Sequence, residues 1–258
     1  MSLNQKIRSL QLINLILSFI GVYYCIENNE YLYLLLSYFI FVLMCPLGIS
    51  TGLHRLLTHK SFTTSVFMER LLTLLSVYAT VGSPIAWVAI HRAHHGYSDT
   101  DLDPHSPYVD QHLNAGKIFT VSTGIGPSTQ TKIPISFVKD LCRSNFQRFI
   151  HEHYFKILLI PVVLLFLVSP LLGIFVYALP ATLALYTTSA VNVLGHSHGY
   201  RTHQVRDRST NSWIANVISL GEGWHNNHHH NPANAHLREK WWEWDLIGLF
   251  IKLIRRTN

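Results

Sequence analysis

The chain has 258 residues, enough for one domain with a sizeable core. Only 13% of its residues are charged, against a usual fraction of about a quarter. The formal net charge of +6 is scattered among long apolar runs, so a membrane surface suits it better than nucleic acid does. Cys25, Cys45 and Cys142 are far apart and match no metal or redox spacing; they read as structural, with no disulfide framework.

A helix needs roughly 20 mainly apolar residues to cross a bilayer core, with about 17 as a lower limit. In chain order, residues 10–26 form the first such run and residues 31–50 the second, with Glu27-Asn28-Asn29-Glu30 as a polar turn between them. Lys6 and Arg8 precede the first run as they would in a signal peptide. No small-x-small cleavage site follows, however, and a second span comes at once. Residues 71–81 are apolar but too short to span, and read as a helix against the interface, broken at Gly82-Ser83-Pro84 ahead of Trp87. Residues 155–172 and 174–194 form the third and fourth spans, with a tight turn at Gly173. Residues 247–254, with Lys252, Arg255 and Arg256, read as a second interfacial helix.

Of the 20 lysines and arginines, 19 fall in the N-terminal tail, the stretch between spans two and three, or the C-terminal stretch, and Lys156 is the second residue of span three, next to that middle stretch; neither hairpin turn carries one. The positive-inside rule then makes those three segments, and both termini, cytoplasmic. The expected fold is an all-α membrane protein, one domain over residues 1–258. Its four transmembrane helices form two hairpins under a helical cytosolic cap of about residues 54–153 and 196–258.

The 17 histidines are mostly clustered. His54 and His59 lie five apart, about 140° around an α-helix, so they reach one centre only if the helix ends or distorts. His91, His94 and His95 share one helical face, as do His225, His228 and His229. His196 closes the fourth span, with Asn192 one turn earlier. These nine histidines are expected at one membrane boundary, on one side. Imidazole suits iron, copper, zinc and nickel, and nine ligands are too many for one ion but serve two. Ligating histidines usually donate their second ring N–H to a carboxylate or carbonyl. Asp99, Asp101, Asp103, Asp207 and Glu222 are the candidates, each also readable as a solvated loop or cap carboxylate. His105, His112, His151, His153, His198, His203, His230 and His236 lack the convergent spacing and read as loop or interface residues.

The set HRLLTH (54–59), HRAHH (91–95), NVLGH (192–196) and GEGWHNNHH (221–229) resembles the membrane fatty-acid desaturases of the Δ9, acyl-CoA-desaturase-like type. The segments SDT (98–100), DPH (103–105) and WWEWD (241–245) extend the likeness over most of the chain. The resemblance implies a mushroom-shaped protein with a cytosolic di-iron centre, dioxygen as co-substrate and two electrons from an outside donor. Carried over, His54, His59, His91, His95 and His228 hold one iron. His94, His196, His225 and His229 hold the other, with Asn192 holding a water on it. Trp87 matches a family tryptophan near the substrate tunnel; it also reads as an interfacial anchor.

The implied reaction puts a cis double bond into a saturated fatty acyl chain. Ala89 and Ile90 stand where animal acyl-CoA enzymes have an Arg-Asp pair, which favours a bacterial acyl-lipid type or another carrier over CoA. Residues 108–144 lack the expected aromatic-rich continuation, so substrate or donor docking is expected to differ. With no cytochrome b5-like domain fused, the donor is expected to be separate, such as cytochrome b5 or ferredoxin. His225 in place of glutamine argues against a front-end desaturase. The rivals are a hydroxylase or ketolase on the same scaffold, and a membrane metal transporter, which would need ligands near mid-bilayer rather than outside the spans.

Overall fold

The computed structural model describes residues 3–110, 112–118 and 133–256. Among them the chain is mostly helical. Helix α1 (Leu3–Asn28) ends at Asn29, whose left-handed backbone (φ 57°) turns the chain into α2 (Leu32–Val42). Without a break, α2 becomes a 16-residue π-helix, Leu43–Thr58. Pro46 lies inside this stretch. Proline has no N–H to give and crowds the carbonyl four residues back, and widening the helix relieves both. The hydroxyls of Thr51 and Thr58 donate to the carbonyls of Pro46 and Leu53, five residues back, at 2.9 and 2.8 Å.

The π-helix packs against α3 (Val66–Val77), which starts earlier than its apolar run suggests because Ser65 caps it. Gly48 permits the approach: a Cβ there would lie 2.6 Å from the Ser76 nitrogen. After a turn, Ser83 caps α4 (Pro84–Tyr97), the helix carrying Trp87 and the second histidine cluster. The two-residue strands Tyr108–Val109 and His112–Leu113 pair antiparallel beyond it. Residues 111 and 119–132, within the stretch expected to lack aromatic continuation, lie outside the described residues.

Helix α5 (Asn145–Glu152) meets α6 (Tyr154–Val168) at a 61° bend. The turn after α6 does not fall at Gly173. It falls at Ser169, extended at φ −161° and ψ 130°, because the residue before a proline is driven out of the helical region. From Pro170 a single helix, α7 (Pro170–Ser197), runs to the cap. Gly173 lies inside it, where the Phe166 ring occupies the space a side chain would need.

Helix α7 is the hub of the apolar bundle. Ser18 of α1 donates to Thr182 at 3.0 Å, the Asn14 amide donates to the Tyr177 hydroxyl at 3.2 Å, and Ser37 of α2 donates to the Phe175 carbonyl at 2.7 Å. These buried pairs satisfy polar groups that have no water available between apolar helices. Leu158 and Val162 of α6 pack with Tyr177, Ala178 and Ala181. Three helices are long and apolar enough to cross a membrane, residues 5–28, 32–58 and 170–197, and a fourth if α5 and α6 are one bent span.

Three short helices complete the described cap: α8 (Trp213–Ser219), α9 (His225–His230) and α10 (Leu246–Ile254). α10 buries Ile247 and Ile251 and exposes Leu246, Leu249 and Leu253. α8, which its sequence does not single out, exposes Ile214 and Val217.

Gly48→Ala is expected to destabilise the solubilised protein by about 1–3 kcal/mol through overpacking against α3. Thermal or denaturant unfolding in detergent reads this, and an unchanged midpoint would contradict the packing account.

Candidate metal centre

Four elements aim imidazoles at one buried region. The π-helix supplies His54 and His59. Its widened turn lets residues five apart face the same way, and the His59 N–H bonds the His54 carbonyl at 3.1 Å. Helix α4 supplies His91, His94 and His95, α7 supplies His196, and α9 supplies His225, His228 and His229. Gly195 lets α9 dock, since a Cβ there would lie 2.7 Å from the His225 ring.

The rings separate into two groups. His54, His59, His91, His95 and His228 offer nitrogens within 4.8 Å of one another, and so do His94, His196, His225 and His229. Shared helical faces do not carry whole clusters to one point. His91 and His95 join the first group and His94 the second, while on α9 His228 joins the first and His225 and His229 the second. Membership of the two groups follows the five-and-four division that the family resemblance implies.

Carboxylates set the ring orientations. His54 donates from Nδ1 to Glu222 at 3.0 Å, and His94 to Asp103, His196 to Asp99 and His229 to Asp207, each at 2.9 Å. Asp101, the fifth candidate from the sequence, is exposed and takes no such part among the described residues. A neutral ring whose Nδ1 carries the proton has a bare Nε2 lone pair. His196 and His229 nevertheless both point Nε2 at His225 Nε2, 3.1 Å away, and His225 has at most one proton to offer there. His94, His59 and His91 bury Nε2 with no hydrogen-bond partner. His228 Nε2 lies 3.0 Å from His54 Nε2 and 3.1 Å from His95 Nε2.

Converging lone pairs repel unless a cation sits among them, so this donor set fits metal ions. Nitrogens that share an ion at about 2.1 Å lie about 3–3.4 Å apart, and the close pairs here are 3.0 and 3.1 Å apart.

Burial favours the neutral, ligating form of these rings. It pushes His91, His95, His225, His228 and His229 well below the usual histidine range, and neighbouring imidazoles add to the shift; His59 falls to about 2. Burial opposes ionisation of Asp103, but the adjacent His94 and backbone N–H groups draw its pKa down to about 2. Burial also opposes ionisation of Glu222, where Arg55 and His54 bring it to about 2.

Arg55, unremarked in the sequence, locks this arrangement. Fully buried, it donates to Glu222 at 3.1 Å, to Asp245 at 2.8 Å and to the carbonyls of Ala235 and Gly221. Asp245 also caps α10 by accepting from the Gly248 N–H. Arg92 holds the end of the π-helix, donating to the carbonyls of Leu57 and Thr58 while pairing with Asp140. Glu243 accepts from Asn227 and from the Tyr200 hydroxyl. Neither arginine is marked by spacing; the only signal was its place inside a histidine box.

A cavity of about 1020 Å³ reaches both groups, touching His54, His91 and His225. Trp87 lines it and stacks on His91, with centroids 4.9 Å apart. Asn192 also lines it. His105 lines it too, 5.8 Å from the His94 ring, and belongs to neither group; His198 is bonded to Ser197 away from them.

Replacing Arg55 by leucine leaves Glu222 and Asp245 buried without their cation. The expected cost is about 3–5 kcal/mol, against less than about 0.5 kcal/mol for the exposed Asp101→Asn. Equal unfolding midpoints for the two variants would contradict the lock.

Residues 30–243 match the family model described as fatty acid desaturase. The chain is 36% identical to the sn-1 stearoyl-lipid 9-desaturase of Anabaena variabilis, over 81% of this chain and 75% of that one. It is 34% identical to Delta-9 acyl-lipid desaturase 2 of Arabidopsis thaliana, over 83% and 69% of the two chains. It is also 34% identical to the sn-2 palmitoyl-lipid 9-desaturase of Nostoc sp. (strain 36), over 84% and 76%. All nine clustered histidines lie within the matched residues. By this match the chain belongs to the fatty acid desaturase family and is an oxidoreductase of lipid metabolism.

Proposed function

We propose that the chain is an oxygen-dependent acyl-lipid desaturase that introduces a cis double bond of the Δ9 type, using two irons and two electrons from a separate donor such as cytochrome b5 or ferredoxin. The observation that carries this reading is the pair of buried histidine groups beside one lipid-sized cavity. Relatives named as acyl-lipid 9-desaturases support the regiochemistry and the glycerolipid carrier. Ala89 and Ile90, uncharged and lining the cavity, support the same carrier.

In this reading His54, His59, His91, His95 and His228 hold one iron. His94, His196, His225 and His229 hold the other, with Asn192 holding a water. Iron held there would activate dioxygen, the oxidant, to take two hydrogens from unactivated methylenes, which no side chain can do. The overall balance is one saturated acyl chain, one dioxygen, two electrons and two protons in, and one alkene and two waters out.

The protein's own residues bind, orient and exclude. Glu222, Asp103, Asp99 and Asp207 each accept an Nδ1–H, which fixes a ring and strengthens its Nε2 as a donor. Trp87 walls the cavity beside His91, and Ile49, Val81 and Val191 keep water from the methylene pair. The bent α5–α6 pair serves as the third of four spans. The distribution of basic residues supports a cytoplasmic cap and cytoplasmic termini.

Expression in a desaturase-deficient host is expected to yield a new monoene with its double bond at carbon 9. A hydroxylated product without an alkene would replace desaturation by oxygen insertion. His94→Ala or His228→Ala is expected to abolish the product and reduce iron per chain, with the protein still inserted. Full activity in either variant would refute the ligand assignment.

A further inference from the structure

The cavity that touches the histidines has a second end of different chemistry. Arg8 of α1 and the exposed Lys156 of α6 line it there, with the exposed carboxylate Glu152; Lys117 of the cap lines the same cavity. Arg8 is half-buried in the wall, and neither it nor Lys156 has an acidic partner among the described residues. The two helix starts are neighbours: Lys6 Nζ lies 6.0 Å over the Phe155 ring. Beyond this end both helices turn apolar side chains outward, Leu12, Ile13 and Ile16 on α1 and Ile160, Val163 and Leu164 on α6. Arg8 and Lys156 thus stand where the apolar stretches of α1 and α6 begin.

Positive-inside bias accounts for cations near that surface but not for their lining the wall of the cavity that holds Trp87, His54 and His91. A guanidinium offers a planar fork that matches a phosphate, and an ammonium beside it adds a point charge.

We propose that the Arg8–Lys156 end is a headgroup subsite for the phosphate ester of an anionic diacyl glycerolipid, whose acyl chain lies along the cavity toward His54 and His91. The acyl placement rests on the desaturase reading above. An acyl-CoA carries phosphate ester too and would approach from the cap, where Ala89 and Ile90 are uncharged but Lys117 lines the cavity, so the comparison of lipid with stearoyl-CoA substrates separates the two carriers.

The test compares iron-loaded wild type with Arg8→Gln/Lys156→Gln and with Arg8→Lys, with iron per chain checking that each is folded. Substrates are saturated phosphatidylglycerol, saturated monogalactosyldiacylglycerol and stearoyl-CoA. The double variant is expected to lose about tenfold in the kcat/KM ratio of phosphatidylglycerol over the neutral galactolipid, the loss of one charge-assisted contact. Arg8→Lys is expected to retain most of that ratio. An unchanged ratio overturns the proposal, and so does a fall confined to stearoyl-CoA, which would assign the cations to a soluble carrier. Native mass spectrometry of wild type, with the two lipids in competition, reads the subsite without turnover or folded variants. Preferential retention of phosphatidylglycerol is expected, and equal retention overturns the proposal. Absence of alkene from every substrate would sink the desaturase reading, while lipid retention would still decide the subsite.

Discussion

Imidazole lone pairs that face one another in a buried space, with too few protons to separate them, are the constraint on which this structure depends. His196 and His229 both direct Nε2 at His225, and His54 directs its own at His228. Without a cation such a cluster is repulsive, and burial disfavours relieving it by protonating His59, His91, His95, His225, His228 or His229. Only a rigid surround keeps the rings aimed inward. The four carboxylates on the outer nitrogens, Arg55 between Glu222 and Asp245, and Arg92 across the end of the π-helix form that surround. Apart from His94–Asp103, nine residues apart, each ties a histidine-bearing element to a segment more than about 20 residues away in sequence.

The same ties join the polar cap to the apolar bundle. Helix α7 takes the hydrogen bonds of α1 and α2 at its middle and presents His196 at its end. The π-helix begins in the bundle and ends in the cap, so a single continuous element carries His54 and His59 from the apolar region to the site. Asp245 caps α10 and holds Arg55 at once, which couples the seat of a partly exposed apolar helix to the orientation of a ring.

Substrate chemistry follows from the cavity's position between these layers. Its wall is apolar beside Trp87, metal-competent at the histidines and cationic at the helix starts. In the proposed reading, an acyl chain with a charged head would meet each environment in turn.

The sequence by itself determined the membrane-length runs, the nine clustered histidines and four of their carboxylate partners. Those features are local: hydrophobic length, helical spacing and the proximity of an acid to a box survive without knowledge of the fold. The turn after α6 was also local, but the signal belonged to Pro170 and its effect on Ser169 rather than to Gly173. Which histidine faces which group, and why His54 and His59 face together at all, was decided only by tertiary structure. A π-helix containing Pro46 and the placement of α4 and α9 set those directions, and no spacing rule contains either. Arg55 was invisible for the same reason: a buried cation is defined by the carboxylates around it, and those arrive from 167 and 190 residues away.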